Sequence, residues 1–272
     1  MLTSIFFSFQ LEAQRQSFLA PKIYYTSDIM AENPPVIDGV LNDSAWKSVD
    51  WGTDFIEVNP DENTDPSVQT KFKVLYDQKY LYVALKAFDP QPSTITSRLS
   101  RRDGFAGDRI NVLIDSYHDL RTAFLFTVTA AGVRGDEIIT DNGQSFDDSW
   151  NPIWSTKALI DADGWSAEMK IPLSQFRFNS DSDQVWGLNI IRNYFAENEL
   201  SAWDRIPVGS AGWVSEAGEL HGLQNIKPQK QKKRIDSGYK LGKNAIPIEL
   251  VAVSANIAKI TLWFNFSFLR NK

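Results

Sequence analysis

RRDGFAGDRINVLIDSYHDLRTAFLFTVTAAG, residues 101–132, decides the fold. Ile110, Val112 and Ile114 alternate with Arg109, Asn111, Leu113 and Asp115, the period of a strand with one face buried. Phe124, Phe126 and Val128 repeat that pattern after a short polar loop, Ser116 to Arg121, so the two runs predict an antiparallel hairpin. In front of the first strand stands Gly104-Phe105-Ala106-Gly107-Asp108, an aromatic ring in a glycine-flanked loop beside a carboxylate.

The same alternation recurs on both sides. Val68 to Tyr76 and Leu81 to Ala87 predict a second hairpin turning at Asp77-Gln78-Lys79. Trp154 to Ile160 and Trp165 to Ile171 predict a third, turning at Asp161 to Gly164. Further strands are expected at Val36 to Gly39, Trp51 to Val58, Val133 to Ile139, Val185 to Tyr194, Leu200 to Pro207 and Glu219 to Ile226. Asn42 or Asp43 is placed to cap one helical turn that drops Trp46 into the core, and Leu173 to Phe176 suits another turn. No stretch before Pro228 keeps a helical period over helix length. About ten strands with frequent turns describe an all-β chain, an antiparallel β-sandwich of jelly-roll or immunoglobulin-like type.

Three segments follow from composition. Residues 24–228 are the sandwich. Residues 229–272 carry nine Lys or Arg against Asp236 and Glu249, and read as a basic linker and the start of a truncated β extension. Residues 1–23 hold an apolar run, Leu2 to Phe9, without a basic segment before it, and read as a clipped secretory signal or an N-terminal tail. The first 228 residues keep 19 basic against 32 acidic side chains, a net −13, which repels nucleic acid and anionic membrane surfaces.

Composition also narrows the chemistry. With no cysteine there are no disulfides or thiolate metal sites, and His118 and His221 are too few for a histidine cluster. A haem on Met169 and a histidine is not expected, since a lone inward Met is core filler, and no nucleotide is expected. Asp147 with Asp148, Asp103 with Asp108, and Asp136 with Glu137 are the carboxylate pairs a glycoside hydrolase would draw on. Asp38, Asp43, Asp147 and Asp148 are the calcium candidates, although their spacing fits no EF-hand and suits Asx turns. Carbohydrate binding makes best use of the 12% aromatic content: pyranose C–H faces stack on exposed rings while amides and carboxylates take the hydroxyls. Trp46, Trp165 and Trp186 fall in core patterns. Phe105, Trp150, Trp203 and Trp213 lie beside polar, glycine-bearing stretches and are the candidate sugar-binding rings, with Asp108 as a polar partner.

Several stretches taken in order carry a family resemblance. They are Val36-Ile37-Asp38-Gly39 through Trp46, Val74-Leu75-Tyr76-Asp77 with Leu81-Tyr82-Val83, and Gly107 through Asp115. Asp148-Ser149-Trp150, Gly164 through Pro172 and Trp186-Gly187-Leu188-Asn189 continue the series. From about Tyr24 to Pro228 the chain resembles carbohydrate-binding module family 9, in the branch at the N-terminus of bacterial outer-membrane β-barrel proteins of unknown function. The resemblance implies a non-catalytic, exported domain in the periplasm, at the outer membrane or outside the cell, carrying structural calcium. It also implies a glycan end clamped between two rings, Phe105 being one and Trp213 lying near the other. The chain departs from the pattern in having Phe105 for a Trp, and Thr127 where a charged sugar-binding side chain is expected. The partner is then an oligosaccharide or polysaccharide. The rival readings are an accessory domain contacting protein or an attached barrel, and a hydrolase.

Overall fold

In the computed structural model, which describes residues 20–29, 33–210 and 212–228, the two runs of residues 109–129 pair as expected: Ile110 lies opposite Val128, Val112 opposite Phe126 and Ile114 opposite Phe124. The expectations for residues 1–19 and 229–272 lie outside the described residues. The chain passes through β1 (Ile23–Tyr25), β2 (Ser27–Asp28), β3 (Ile56–Asn59), β4 (Thr70–Tyr76), β5 (Tyr80–Phe88), β6 (Arg109–Asp115) and β7 (Ala123–Thr129). It continues through β8 (Arg134–Thr140), β9 (Ser145–Asp147), β10 (Ser155–Asp161), β11 (Gly164–Pro172), β12 (Asp183–Tyr194), β13 (Glu199–Ala202) and β14 (Gly218–Gln224).

These strands form two sheets. The larger runs β1-β14-β12-β6-β7-β8-β9, with β13 also on β12 and β3 on β13; the smaller runs β10-β11-β5-β4-β2. Pairing is antiparallel except for the short edge strands β1 on β14 and β2 on β4. Because alternate side chains face opposite ways, each sheet turns one apolar set inward. The larger sheet contributes Ile110, Val112, Ile114, Phe124, Phe126, Val128, Trp186, Leu188 and Ile190; the smaller contributes Phe72, Val74, Leu81, Val83, Leu85, Trp165, Ala167, Met169 and Ile171. Each Val, Leu, Ile, Phe or Met among them that is fully buried is worth about 1.5–3 kcal/mol.

Three expected strands are not there as drawn, and one of them, Leu200 to Pro207, gives only the four residues of β13. Val36 to Gly39 forms no strand: the amides of Asp38 and Gly39 are given to one carboxylate, Glu168 on β11, at 3.0 and 2.9 Å, instead of to a ladder. The Trp46 indole donates to the other oxygen of Glu168 at 2.9 Å, from a short 3₁₀ turn at Ser44–Ser48. Trp51 to Val58 yields only β3, because Asp54 sits in the left-handed region at φ 62 and interrupts the run.

A second buried charge ties the sheets together. Arg192 on β12 is fully buried and reaches the smaller sheet, donating through Nη1 to the Gln69 carbonyl at 3.0 Å and through Nη2 to the Phe88 carbonyl at 2.9 Å.

Burial raises the proton affinity of Asp108, Asp115, Asp136, Glu168 and Asp204. Asp147 and Asp161 shift the other way and lie nearer the surface. Each raised carboxyl binds its proton more tightly folded than unfolded. Its contribution is fully present below the unfolded values of 3.8 for Asp and 4.5 for Glu, and is lost as pH rises through the folded value. Thermal unfolding followed from mildly acid to neutral pH should therefore show a falling midpoint; a midpoint that climbs over that span contradicts the assignment. Glu168→Gln leaves one acceptor facing three donors and is expected to cost about 2–3 kcal/mol in urea unfolding. A variant within about 0.5 kcal/mol of the parent, the level of an ordinary surface change, would sink the role given to Glu168.

Candidate functional site on the outer face of the larger sheet

The outward phase of β6 and β7 is where the sequence breaks its own rule. Arg109, Asn111 and Thr127 are polar, and strand register sets them in rows: Asn193, Arg109 and Thr129 in one, then Ile191, Asn111, Thr127 and Gly135, then Asn189, Leu113, Leu125 and Glu137. Within these rows the Thr127 hydroxyl donates to Asn111 Oδ1 at 2.8 Å, and Asn111 Nδ2 donates to Asn193 Oδ1 at 3.4 Å. A hydrogen-bonded amide and hydroxyl track thus crosses three strands.

Phe105 lies on this face. Its ring rests on β8 where Gly135 leaves room, since a Cβ at that position would overlap the ring tip. The Arg109 guanidinium lies over the ring at 5.6 Å from its centre. The loop is held by Asp103, whose backbone amide donates to the Arg134 carbonyl at 3.2 Å and whose Oδ1 accepts the Asp136 amide at 3.2 Å. Arg102 adds an ion pair with the buried Asp136, which also accepts the Trp154 indole at 2.7 Å.

Trp213 lies on the same face, packed against both outer apolar clusters, one containing Leu113, Leu125 and Ile139, the other Val58, Ile191 and Ile206. Its neighbour ring is Phe146 of β9, at 6.0 Å. The segment is pinned by Asn142, whose carbonyl accepts the Trp213 amide at 2.9 Å and whose side-chain oxygen accepts the amides of Val214 at 3.0 Å and Ser215 at 2.8 Å. Gly143, at φ 98, lets the backbone pass close to Trp213.

The other expected site residues are elsewhere. Trp203 is 4% exposed, with its edges and faces taken by Phe72 and Tyr24 in the core, so it offers no face to a sugar. Trp150 is half-buried and packs on the inward rings Phe124 and Phe126 at 5.0 and 5.5 Å, closing the core instead of facing outward. Asp108 is 2% exposed, and its Oδ1 accepts the Phe195 amide at 2.7 Å, bracing the chain just past β12. The residues missed were Asn111, Asn193, Gly135 and Asn142. The outward phase of the β6 alternation pointed to Asn111, whereas Gly135 and Asn142 matter only through partners on other segments.

Among the titrating groups of this face, burial raises Glu137, reinforced by Asp148 and Asp103 and opposed by Arg109. Burial lowers Arg109, opposed by Glu137. The two therefore share a half-buried, mutually supporting field.

The carboxylate chemistries fare differently. Asp136 is fully buried and Asp108 nearly so, each with one oxygen on a protein donor, so neither opens onto a hydrolase cleft with a second carboxyl. The calcium candidates do not fit a cation site: Asp38 accepts the Val40 amide, Asp43 the Val36 amide, and Asp147 the amide and hydroxyl of Ser149. Asp148, next to Asp147 in the chain, is exposed. Among the described residues no group of three or more His, Asp or Glu is placed to hold a metal ion.

Residues 37–208 match the model of the carbohydrate family 9 binding domain-like family. No curated protein matches the chain. Among solved structures, it is similar to a family 9 carbohydrate-binding module from Caldicellulosiruptor kristjanssonii in complex with glucose, at 20% identity and a TM-score of 0.53, over 79% of this chain and 100% of that one. A family 9 carbohydrate-binding module from Caldicellulosiruptor kristjanssonii in complex with cellotriose matches at 20% and 0.53 over 84% and 100%. A proposed carbohydrate-binding protein from Bacteroides uniformis ATCC 8492 matches at 12% and 0.57 over 75% and 100%. At these identities the structural likeness establishes the fold alone.

Gly135→Ala should displace the Phe105 ring from β8 while leaving the fold intact, because the overlapped atoms are the far end of a movable side chain. Ring-proton chemical shifts of Phe105 unchanged from the parent would refute that packing.

Proposed function

The chain belongs to the carbohydrate family 9 binding domain-like family, and on that premise we propose that it is a non-catalytic carbohydrate-binding domain of an exported bacterial protein, taking the end of a glycan between Phe105 and Trp213. The observation that carries this reading is the placement of two half-buried rings on the sheet face that also holds the track Thr127, Asn111 and Asn193. Aromatic rings supply apolar faces for pyranose C–H groups, and side-chain amides both donate and accept for hydroxyls. The departure at Thr127 fits the same reading: its hydroxyl is not a charged sugar ligand but orients the buried Asn111, which in turn holds the half-buried Asn193 for polar recognition.

The family match supports carbohydrate as the partner, and similar modules hold glucose and cellotriose. Placement at the bacterial outer membrane, in company with a barrel, rests on the sequence resemblance. One observation favours a protein contact besides: Ile23 and Tyr25 on edge strand β1 are 48% and 67% exposed, an apolar strip of the kind that accepts a partner.

Calorimetric titration with neutral mono- and oligosaccharides tests the clamp. Phe105→Ala and Trp213→Ala should each weaken binding about tenfold, or ~1.4 kcal/mol. Affinities equal to the parent in both variants would end the proposal.

A further inference from the structure

The body of the chain is acidic, yet the loop that carries Phe105 is basic. Arg98, Arg101, Arg102 and Arg109 fall within twelve residues that hold two acids, Asp103 and Asp108. Both acids are already engaged. Asp108 is buried on the Phe195 amide, and Asp103 spends one oxygen on the Asp136 amide while the other lies 3.9 Å from Arg102 Nε. Arg102 is in turn tied to Asp136, and Arg109 is partly balanced by Glu137. Arg98 and Arg101 remain: both are exposed, and neither makes an ion pair among the described residues.

The loop that presents them is closed. The Gly104 amide donates to the Arg101 carbonyl at 3.0 Å, and Gly107 lies against Thr96 so tightly that a Cβ would overlap it. Arg98 and Arg101 are therefore held on the segment that carries the Phe105 ring. The acid of the same face is Glu137 on β8, two residues along from the Gly135 that receives the Phe105 ring, with Asp148 near enough to raise it.

Two exposed arginines without an ion pair, on the closed loop that carries the ring and on a molecule whose first 228 residues carry net −13, form a local positive lip set against a repelling background. Guanidinium forks match planar oxyanions in two-point contact, which a neutral hydroxyl does not repay. We propose that the saccharide bound on this face is anionic, with a uronate carboxylate or a sulfate ester held by Arg98 and Arg101 on the loop of Phe105, and its neutral hydroxyls turned toward Asn193 and Glu137. This rests on the sugar-binding reading above and narrows it. The negative background disfavours an extended polyanion such as nucleic acid or a lipid surface, because only the lip attracts.

The test is calorimetric titration of the full chain with oligogalacturonate, a sulfated oligosaccharide and neutral cellotriose, at about 50 mM and about 500 mM salt. One of the two acidic ligands should bind at least about tenfold tighter than cellotriose at low salt and lose most of that margin at high salt. Arg98→Gln with Arg101→Gln, both on an exposed loop, should remove about tenfold of acidic-ligand affinity and leave cellotriose unchanged. The uronate and sulfate arms identify which oxyanion is read. Equal affinity for neutral and acidic ligands, or no effect of the double variant, overturns the inference while leaving sugar binding in place. Binding to no saccharide overturns both. Tighter binding to single-stranded DNA or to anionic vesicles than to either acidic saccharide also overturns it.

Discussion

A single buried carboxylate, Glu168, joins the two ends of this sandwich's sequence. It is fully buried on the outer side of the smaller sheet, where an ion survives only if its oxygens are met by donors. Three donors come from one segment: the amides of Asp38 and Gly39 and the indole of Trp46. That segment has no ladder of its own. Its fold is the shape needed to surround one carboxylate, and in closing around it the segment lays Trp46 over Leu75, Tyr82 and Ala84. The motif around Gly39 and Trp46 and the motif Gly164 to Pro172 are thus two halves of one hydrogen-bonded unit, not independent signatures.

Arg192 does the corresponding work between the sheets. Its carbonyl partners at Gln69 and Phe88 lie at the ends of β4 and β5, so one side chain stitches the interior edge that alternating apolar residues leave open. Asp108 lies in its field and also holds the Phe195 amide, just past the end of β12. A buried charge network of this kind is weak support for stability as such, because desolvation offsets much of its attraction. Its consequence here is positional. The strand that begins beside Asp108 is the one that carries Arg109 and Asn111 outward to the candidate site.

The sheets were legible in the sequence because burial on one face imposes a period of two, and β4 to β7, β10 and β11 all show it. What the period reports is which residues share a face; it says nothing about who meets whom across the chain. Glu168 reads locally as one more polar residue in an alternating run, and its partners lie 122 to 130 positions away. Trp203 failed for the converse reason. It is surrounded in sequence by Ser201, Asp204 and Arg205, which made it look exposed, but β13 returns it beneath Tyr24 and onto Phe72. Local polarity is a poor guide to the burial of a single ring when the strand beside it is only four residues long.

Phe105 and Trp213 were legible as loop aromatics, but the reason they share a face was not. Each is placed by a residue that does no recognition itself. Gly135 supplies the gap in β8 that receives the Phe105 ring, and Asn142, at φ 58, turns its carbonyl and amide oxygens toward the Trp213 segment. Both positioning residues belong to β8 or the turn directly after it. One strand therefore sets both rings, with Glu137 between Gly135 and Asn142 along the same backbone. A face organised in this way can change its polar residues on β6 and β7, as Thr127 and Asn111 illustrate, without moving its aromatic walls. Divergence in ligand chemistry is then expected in the strand faces and the arginine-bearing loop, while the glycine and asparagine of β8 and its turn stay bound to the geometry.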